Sequence, residues 1–335
     1  MTAARRDRTG AVHVQTGGLS TTVQDAGRPG QYRIGMPPSG AMDQFSYAVG
    51  NLLVGNVEGA AALEATYIGP TLEFTDERLV AVTGAEAAVS LNGDEVQTWT
   101  TLQVGPGDVL SFGMIGAGAR PYVAISGGVD VPPYLGSRST YTLTGIGGFE
   151  GRKLADGDEL TLGDATVNGV APGISLPAAL RPDLGPAKTV RTVVGLCSYR
   201  LTEGALESFL GTQWKVTKDA DRVGYRLRGG SLDFVERKQP FGAGSDPANV
   251  VDLGYPIGSI QVPGGDEPIV LLGDAVTGGG YVTIGTVVST DRDLFGQAKT
   301  GDTVAFEPVD LDGALQARAD RRKVLDDARA AITRQ

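Results

Sequence analysis

The hydrophobic positions of the chain come in short runs separated by turns. Most runs are four to eight residues long, among them LVAVTG (79–84), DVLSFG (108–113), PYVAISGG (121–128), SLDFV (231–235) and PIVLLGD (268–274). Short runs between glycine-rich turns predict β-strands. The dipeptide Asn92-Gly93 lies between two such runs and predicts the tip of a hairpin. The pattern therefore indicates a mainly β chain.

Three segments have the spacing of helices instead. The first is 42–55, where Asp43 can cap the N-terminus, and the second is 201–213, where Thr202 has the same role. From residue 310 the chain loses its glycines after Gly313, which predicts a surface helix or tail. A thin apolar stripe runs along that segment: Leu311, Leu315, Leu325, Ala328 and Ile332.

The pattern divides the chain into two β domains. We expect a disordered tail at 1–10, a first β-barrel domain at 11–165, and a linker at 166–188, which holds four prolines. A second β-barrel domain at 189–309 and a C-terminal helix or tail at 310–335 follow. GPTLEF (69–74) matches GGSLDF (229–234), and GDVLSF (107–112) matches GDTVAF (301–306). These strings fit either a tandem duplication or the common use of Gly-Asp before strands.

Composition and charge exclude several classes of protein. With 29 basic and 39 acidic residues the net charge is −10, which disfavours a nucleic-acid partner. The single histidine, His13, and the single cysteine, Cys197, exclude multi-histidine and cysteine-cluster metal sites, so we predict no metal. We find no secretory signal and no apolar stretch of membrane-spanning length, and we therefore expect a cytoplasmic protein without a membrane partner.

Polar residues that suit chemistry on a small molecule concentrate in five glycine-rich strings. The strings are TTVQDAGRPG (21–30), PPSGAMD (37–43), GSRSTY (136–141), DRVGYRL (221–227), and IQVP (260–263) with VLLGDAVTGGGY (270–281). No P-loop and no GxGxxG fingerprint is present. Activating an amide needs donors at its carbonyl oxygen and an acceptor for its N–H, and arginine suits carboxylates and phosphates.

The candidate catalytic residues are Arg138, Arg222, Asp274 and Gln261. The candidate substrate-binding residues are Arg28, Ser39, Asp43, Ser137, Tyr141, Tyr225, Thr277 and Tyr281. Each arginine has an alternative interpretation as an internal ion pair or carbonyl clamp, and Asp25 and Asp43 have one as caps. Tyr281 fits packing equally well, and Cys197 is most simply a small buried hydrophobe.

Taken together, these strings resemble the KipA family, which is also known as allophanate hydrolase subunit 2 or as the C subunit of 5-oxoprolinase. The same module is the carboxyltransferase region of urea amidolyase. The resemblance runs from about Val12 to Pro308 and includes NLLVGN, GPTLEF, GGFEGR and GSIQVP besides the strings above. It implies an all-β fold with a few short helices, built of two tandem cyclophilin-like barrels.

The resemblance also implies a partner of the KipI type (allophanate hydrolase subunit 1, the B subunit of 5-oxoprolinase) and, in one branch, a LamB-type subunit. One branch of the family opens 5-oxoproline with ATP, and the other moves a carboxyl group from carboxybiotin to urea. We expect ATP to be used by the complex and no biotin to be attached to this chain, because its only Ala-Met pair runs AMDQ (41–44).

The chain departs from the family pattern in the second domain. The usual G-P-Q is GLC at 195–197, and the usual D-x-Q-T-T-G-G-Y-P-K is DAVTGGGYVT at 274–283. Val276 stands in place of Gln, Gly278 in place of Thr, Val282 in place of Pro and Thr283 in place of Lys.

Three functions follow from the sequence. The first is a subunit of a 5-oxoprolinase-like, ATP-dependent amidohydrolase that is active only with its partner. The second is a biotin-dependent carboxyltransferase component acting on urea or a related small amide. The third is a non-catalytic KipI-binding regulator.

Overall fold

The computed structural model describes residues 10–165 and 169–334. These residues form twenty β-strands and four α-helices, so the prediction of a mainly β chain is confirmed. The tail predicted at 1–10 lies outside the described residues except for Gly10, and the predicted linker at 166–188 does so in part.

The chain divides into two compact units. The first contains the residues up to Arg28, Ser39–Asp183 and the residues from Val324 onward, and the second contains Pro29–Pro38 and Leu184–Lys323. Each unit therefore includes a segment that is remote in sequence from the rest of it. Composition along the chain cannot assign such segments, because it does not show which distant residues pack together.

The first unit contains two antiparallel sheets. Their strands follow the order β11-β1-β4-β9-β6-β7 in one sheet and β2-β3-β10-β5-β8 in the other. The strands are β1 (Ala11–Thr16), β2 (Ser20–Gln24), β3 (Ala62–Thr66), β4 (Thr71–Phe74), β5 (Arg78–Gly84), β6 (Ala87–Leu91), β7 (Asp94–Val96), β8 (Leu102–Val104), β9 (Val109–Ile115), β10 (Pro121–Ile125) and β11 (Glu159–Thr161). Alternate residues of β1 and β4, such as Val12, Val14, Leu72 and Phe74, enter one core, as the period of a strand requires.

The hairpin predicted at Asn92-Gly93 joins β6 and β7. Both residues have positive φ, 56° and 91°, which is the conformation that a type I′ turn needs and that Asn-Gly tolerates. Leu91 pairs with Asp94 across the turn, so the prediction is confirmed.

Helix α1 (Gln44–Leu53) begins where the sequence predicted. The Asp43 carboxylate accepts the Ser46 N–H and caps the helix. Phe45, Val49 and Leu53 pack into a second core cluster of the first unit.

The second unit contains a closed seven-stranded barrel with the order β12-β19-β16-β17-β14-β13-β20. Its first and last strands, β12 and β20, pair in parallel and close it. The strands and helices of this unit are β12 (Ala187–Val194), α2 (Glu203–Gly211), β13 (Trp214–Ala220), β14 (Gly224–Arg228), β15 (Asn249–Gly254), β16 (Ser259–Gln261), β17 (Ile269–Leu271), β18 (Gly278–Tyr281), β19 (Thr283–Val287), α3 (Arg292–Gly296) and β20 (Thr303–Pro308). Thr202 caps α2 as predicted.

The two pairs of matching strings differ in the structures that they form. GDVLSF and GDTVAF both enter strands, β9 and β20, whereas TLEF forms β4 and SLDF contributes only an isolated bridge between Phe234 and Leu201. The strand expected at 231–235 is therefore wrong. The string GGGY, which holds three glycines, forms β18 and pairs with β15 in a separate two-stranded sheet.

Helix α4 (Leu311–Thr333) is the C-terminal element. Of its predicted apolar stripe, Ala328 and Ile332 are buried in the cluster that holds α1, whereas Leu311 and Leu315 are more than half exposed. Among the described residues, no helix is both long enough and apolar enough to cross a membrane.

Candidate functional site

The Asp25 carboxylate organises the first unit's candidate site. Its Oδ1 accepts hydrogen bonds from the Gly27 N–H (2.8 Å), the Ser137 hydroxyl (2.6 Å) and the Ser139 hydroxyl. Its Oδ2 accepts the Arg138 N–H at 2.6 Å. Asp25 is 8% exposed, so these four donors replace the water that a carboxylate would otherwise bind. The predicted binding residue Ser137 thus holds two loops together.

Arg28 follows directly in the chain and is 1% exposed. Its guanidinium donates through Nη2 to the Ser139 carbonyl oxygen. Gly147 lies against both groups, because a Cβ there would be 2.2 Å from the Ser139 carbonyl oxygen and 2.8 Å from Arg28 Nη2. The glycine-rich segment 144–151 therefore lies close to the Arg28 guanidinium. The predicted binding residue Tyr141 is buried just before this segment and forms an isolated β-bridge with Ile146.

Successive backbone N–H groups fix the segment that carries Ser39 and Asp43. Ala41 N–H donates to the Asp25 carbonyl oxygen at 2.9 Å, Met42 N–H to Glu64 Oε2 at 2.8 Å, and Asp43 N–H to the Tyr122 hydroxyl at 2.8 Å. Asp43, predicted to bind substrate, is 2% exposed, and its carboxylate binds Ser46.

Glu64 and Tyr122 are polar groups that sequence reasoning missed. The Tyr122 hydroxyl donates to Glu64 Oε2 at 2.9 Å, and Arg120 lies 3.6 Å from the other carboxylate oxygen. All three are at most 2% exposed. Burial raises the pKa of Tyr122 well above its usual range, and the neighbouring Glu64 carboxylate raises it further. Charged residues inside apolar strands, as in ALEAT and ARPYV, are the signal that reveals such a network.

Ser39 differs from its neighbours in two ways. It adopts a left-handed conformation with φ of 54°, which is unusual for a residue other than glycine. Its hydroxyl is buried and has no hydrogen-bond partner among the described residues. Strain together with an unsatisfied buried donor is typical of a group held ready for a ligand.

Arg138 is the most accessible of the three predicted arginines. Its Nε donates to the Val131 carbonyl oxygen at 2.8 Å, and its Nη2 pairs with Asp130 at 3.2 Å. The side chain is 40% exposed and borders a cavity of about 710 Å³, which Asp130 and Asp164 also line.

In the second unit, Arg222 and Asp274 meet in an ion pair. Arg222 Nε and Nη2 donate to the two carboxylate oxygens of Asp274 at 2.8 and 3.3 Å. The side chains are 14% and 3% exposed. The Asp274 N–H also donates to the Arg222 carbonyl oxygen, so backbone and side chains fix one geometry. The structure therefore brings together two of the four candidate catalytic residues.

Tyr255, which sequence reasoning also missed, holds the segment that follows Asp274. Its N–H donates to the Thr277 carbonyl oxygen at 2.9 Å, while its hydroxyl accepts the Tyr281 N–H at 2.7 Å and donates to the Tyr281 carbonyl oxygen at 3.1 Å. Gly279 packs closely against the ring: a Cβ there would lie 3.0 Å from Tyr255 Cε2. Burial raises the Tyr255 pKa. The predicted residues Thr277 and Tyr281 thus meet Tyr255 through their backbones.

Gln261 lies beside this tyrosine. It acts to lower the Tyr255 pKa, against the larger effect of burial, and it pairs with Thr283 on the β16–β19 ladder, next to a register shift between Ile260 and Gln261. The Thr283 carbonyl oxygen accepts the Cys197 N–H at 2.8 Å. Cys197 is buried, as predicted.

Tyr225 has the contacts of a core residue. It is 1% exposed, packs edge-on against Phe295 and donates to the Ala298 carbonyl oxygen. Its predicted role in substrate binding stays a prediction.

The predicted residues fall into two groups. Arg28, Ser39, Asp43, Ser137, Arg138 and Tyr141 belong to the first unit, and Arg222, Tyr225, Gln261, Asp274, Thr277 and Tyr281 belong to the second. Among the described residues, no group of three or more His, Cys, Asp or Glu side chains is placed to hold a metal ion.

Comparison with known proteins gives a consistent relationship. The family model described as "Carboxyltransferase domain, subdomain A and B" matches residues 34–308. The 5-oxoprolinase C subunit of Escherichia coli (strain K12) is 34% identical over 309 residues, which cover 92% of this chain and 94% of the relative.

A urea amidolyase of Lachancea kluyveri is 37% identical over 319 residues, which cover 92% of this chain but 17% of that relative. The crystal structure of the K. lactis urea amidolyase superposes with a TM-score of 0.89 at 35% identity and covers 97% of this chain and 20% of that one. The chain thus spans about a fifth of the length of the urea amidolyases it matches.

These matches extend along nearly the whole chain and include both units. The motifs predicted the same relationship, and the resemblance to the KipA family is confirmed. The chain belongs to the carboxyltransferase domain family, subdomains A and B, whose members include the C subunit of 5-oxoprolinase and a region of urea amidolyase.

Proposed function

We propose that this chain is the component of a heteromeric ATP-dependent amidohydrolase that corresponds to the C subunit of 5-oxoprolinase. The complex would open a small amide, with 5-oxoproline as the first choice of substrate. The observation that carries the proposal is the match to the 5-oxoprolinase C subunit, which covers 92% of this chain and 94% of the relative. A match of that extent indicates the same type of subunit, whereas the urea amidolyases contain this region within much longer chains.

The geometry supports a role in binding and polarising an amide. Ser39 offers a buried hydroxyl without a hydrogen-bond partner among the described residues. Such groups suit the developing charge on an amide carbonyl oxygen, because donors fixed in advance need no reorganisation during the reaction. In this proposal Ser39 and Arg138 of the first unit bind substrate, while Asp25 and Asp43 hold its loops.

The predicted site residues do not fit the triphosphate of ATP. Arg28 is 1% exposed, so its guanidinium does not reach a triphosphate, and Arg222 already pairs with the Asp274 carboxylate. The cavity beside Arg138 also contains Asp130 and Asp164, whose carboxylates repel phosphate. We therefore assign nucleotide binding to the other subunits of the complex, a KipI-type partner and a LamB-type subunit.

The test is reconstitution. The chain is co-expressed with its KipI-type and LamB-type subunits, and ATP-dependent formation of glutamate from 5-oxoproline is measured. Ser39→Ala is expected to lower kcat/KM by about tenfold, the effect of losing one hydrogen bond, without loss of Tm. Ser90→Ala is the matched control, because Ser90 lies on β6, away from the residues assigned to the site, and its hydroxyl is hydrogen-bonded to the Ser111 hydroxyl. Absence of turnover with all subunits present refutes the proposal.

A carboxyltransferase component is the second candidate. The TM-score of 0.89 with the K. lactis urea amidolyase over 97% of this chain favours it. Its test supplies a biotin carboxylase and a biotinylated carrier in trans and follows the transfer of labelled carboxyl to urea. Transfer in this assay, without glutamate formation in the first one, selects this function.

A non-catalytic KipI-binding regulator is the third candidate. Two observations favour it. Arg28 and Arg222 donate to groups of this chain, and the sequence departs from the family pattern at GLC (195–197) and at Thr283, where the family has lysine. Tight binding of the KipI-type partner that survives Arg138→Ala, with no turnover of either substrate, selects this function.

A further inference from the structure

The outer wall of the second unit's barrel holds a cavity whose described lining includes none of the predicted site residues. Its volume is about 490 Å³, within the range of small-molecule sites. It lies at the base of the β13–β14 hairpin, whereas Arg222 lies at the tip, between the two strands. We call it the Lys215 cavity, and its polar lining is Lys215, Thr217, Lys218, Asp219, Arg228 and Thr300.

Two cations of the Lys215 cavity lie directly opposite each other. Lys215 and Arg228 are partners on β13 and β14, so their side chains extend from the same face of the sheet. Like charges in this position destabilise a strand pair. Neither Lys215 nor Lys218 forms an ion pair with a carboxylate of the described residues. An anion held between these side chains would remove the repulsion.

The neighbouring carboxylates do not balance this charge. Asp219 is the one acidic residue among the described residues that line the cavity. Glu267 pairs with Arg228 at 2.6 Å but also with Arg226 at 3.1 Å, so two guanidinium groups share one carboxylate. The cavity therefore has an excess of positive charge, in a chain whose net charge is −10.

A bulge brings the second lysine to the same wall. Val216 pairs with Leu227 and Ala220 with Tyr225, so the three residues 217–219 lie opposite a single residue of β14. In a regular strand consecutive side chains alternate between the two faces, whereas here all three line the cavity. Bulges re-aim side chains in this way, and they are common next to sites that bind ligands.

The turn before β20 forms the facing wall and is fixed to the bulge. The Gly301 N–H donates to the Val216 carbonyl oxygen at 2.9 Å, and the Thr300 hydroxyl donates to the Thr217 carbonyl oxygen at 3.2 Å. Gly301 has φ of 97°, which only glycine adopts readily, so the turn depends on this residue. The walls of the cavity are thus held by hydrogen bonds within the chain, and such preorganisation lowers the cost of binding a ligand.

The chemistry of these walls identifies the class of ligand. Lysine and arginine supply donors and positive charge but no acceptor. A phosphate group places up to two negative charges and three acceptor oxygens around one atom, so it can contact several cations at once. The aliphatic stems of the same side chains can cover the rest of a small molecule. Asp219 disfavours a longer chain of phosphates, because its carboxylate would repel them.

We propose that the Lys215 cavity binds a single phosphate group, free or carried by a small molecule, through Lys215, Lys218 and Arg228. The proposal goes beyond the proposed function and does not depend on it, because the cavity lies at the opposite end of the hairpin from Arg222. It leaves the nucleotide of the reaction with the partner subunits.

The test titrates the purified chain with inorganic phosphate, phenyl phosphate and succinate at constant ionic strength and follows the backbone amides by NMR. We expect the phosphates to shift residues 215–219, Arg228 and 300–301, and succinate, whose charges lie on separate carboxylates, to bind more weakly. Tighter binding of phenyl phosphate than of inorganic phosphate identifies a phosphorylated small molecule as the ligand, and equal binding identifies free phosphate.

Two variants test the lysines. Lys215→Met and Lys218→Met keep the apolar stem and remove the charge, and each is expected to weaken phosphate binding by about tenfold. Lys215→Met should leave Tm unchanged or higher, because the repulsion with Arg228 is lost. Lys323→Met is the matched control: Lys323 is exposed on α4, belongs to the same unit and does not line the cavity.

Three outcomes overturn the proposal. The first is that phosphate shifts no residue of the Lys215 cavity or that succinate binds as tightly as phosphate. The second is that the variant with both lysines replaced binds phosphate as well as the unaltered chain. The third is that Lys323→Met weakens binding as much as Lys215→Met, which identifies an effect of net charge alone.

Discussion

The Asp25 carboxylate allows a sharp test of how the first unit's site is built. Replacing Asp25 with asparagine keeps the size of the side chain, so no cavity forms. The change removes the negative charge and turns one acceptor oxygen into an NH2 group. Three donors converge on Oδ1 and one, the Arg138 N–H, on Oδ2.

Asparagine cannot satisfy this arrangement in either orientation. If its oxygen faces the three donors, its NH2 group meets the Arg138 N–H, and two donors face each other. The lost bond was charge-assisted, which corresponds to about 1.5–3 kcal/mol, and the buried N–H that remains unpaired adds to this. We expect Asp25→Asn to lower the free energy of unfolding of the first unit by about 3 kcal/mol.

The chain's two tryptophans allow the units to be followed separately. Trp99 is buried in the first unit and Trp214 in the second. Urea denaturation monitored by Trp99 fluorescence, in a Trp214→Phe background, reports on the unit that contains Asp25. The matched control is Asp156→Asn, because exposed Asp156 accepts one N–H, that of Gly17 at 2.9 Å, and should cost less than about 1 kcal/mol.

One outcome of this experiment would refute the reasoning. An Asp25→Asn cost as small as that of Asp156→Asn means that the four hydrogen bonds do not hold the loops together. Hydrogen exchange of the peptide containing 137–141 gives an independent readout, since the loss of Asp25 should speed exchange there before it does so in the β-sheets.

Three further predictions follow from single contacts. Either Arg222→Met or Asp274→Leu should lower the free energy of unfolding by about 3–5 kcal/mol, and the double variant should lower it by much less than the sum of the two. Additive losses in urea denaturation would contradict a buried ion pair. Gly147→Ala should prevent the native loop from forming, because φ is 68° and the Cβ would lie 2.2 Å from a carbonyl oxygen; a Tm equal to that of the unaltered chain would show that this loop adapts. The hydrogen bonds from Arg152 lower the pKa of Asp158 below its ordinary value of 3.8. The contribution of this carboxylate to stability is therefore complete at a pH above 3.8 and is lost as the pH falls through the pKa of the folded state. Asp158→Asn should flatten the acid side of a curve of unfolding free energy against pH, and an unchanged curve would contradict this.

Local signals in the sequence predicted the local structure well. The caps at Asp43 and Thr202 and the hairpin at Asn92-Gly93 depend on residues close together in the chain, which sequence shows directly. The string SLDF failed because a strand needs a neighbour, and its pattern alone cannot show whether one is present. The glycines of β18 give no local signal for a strand, since their pairing with β15 depends on tertiary contacts.

The composition of the candidate site was easier to predict than the contacts within it. Gly-rich strings with Asp and Arg pointed to Asp25, Arg28, Arg222 and Asp274; three of these are buried, and the Arg222 side chain is 14% exposed. What the strings could not show is which of these groups bind each other. Asp25 and Ser139 are 114 residues apart and Arg222 and Asp274 are 52 apart, so only the fold brings them into contact.

The contacts also change which groups can recognise a substrate. The Asp274 carboxylate offsets the charge of Arg222 and occupies two of its nitrogens, and burial keeps Arg28 from an anion in solution. The buried hydroxyl of Ser39 has no hydrogen-bond partner among the described residues. Hydroxyls discriminate by the loss of a hydrogen bond when the wrong ligand enters, and this works for neutral amides without a counter-charge. In the proposed function, this chain would therefore select its substrate by the amide group, and its partner subunits would supply the cations that the phosphates of ATP need.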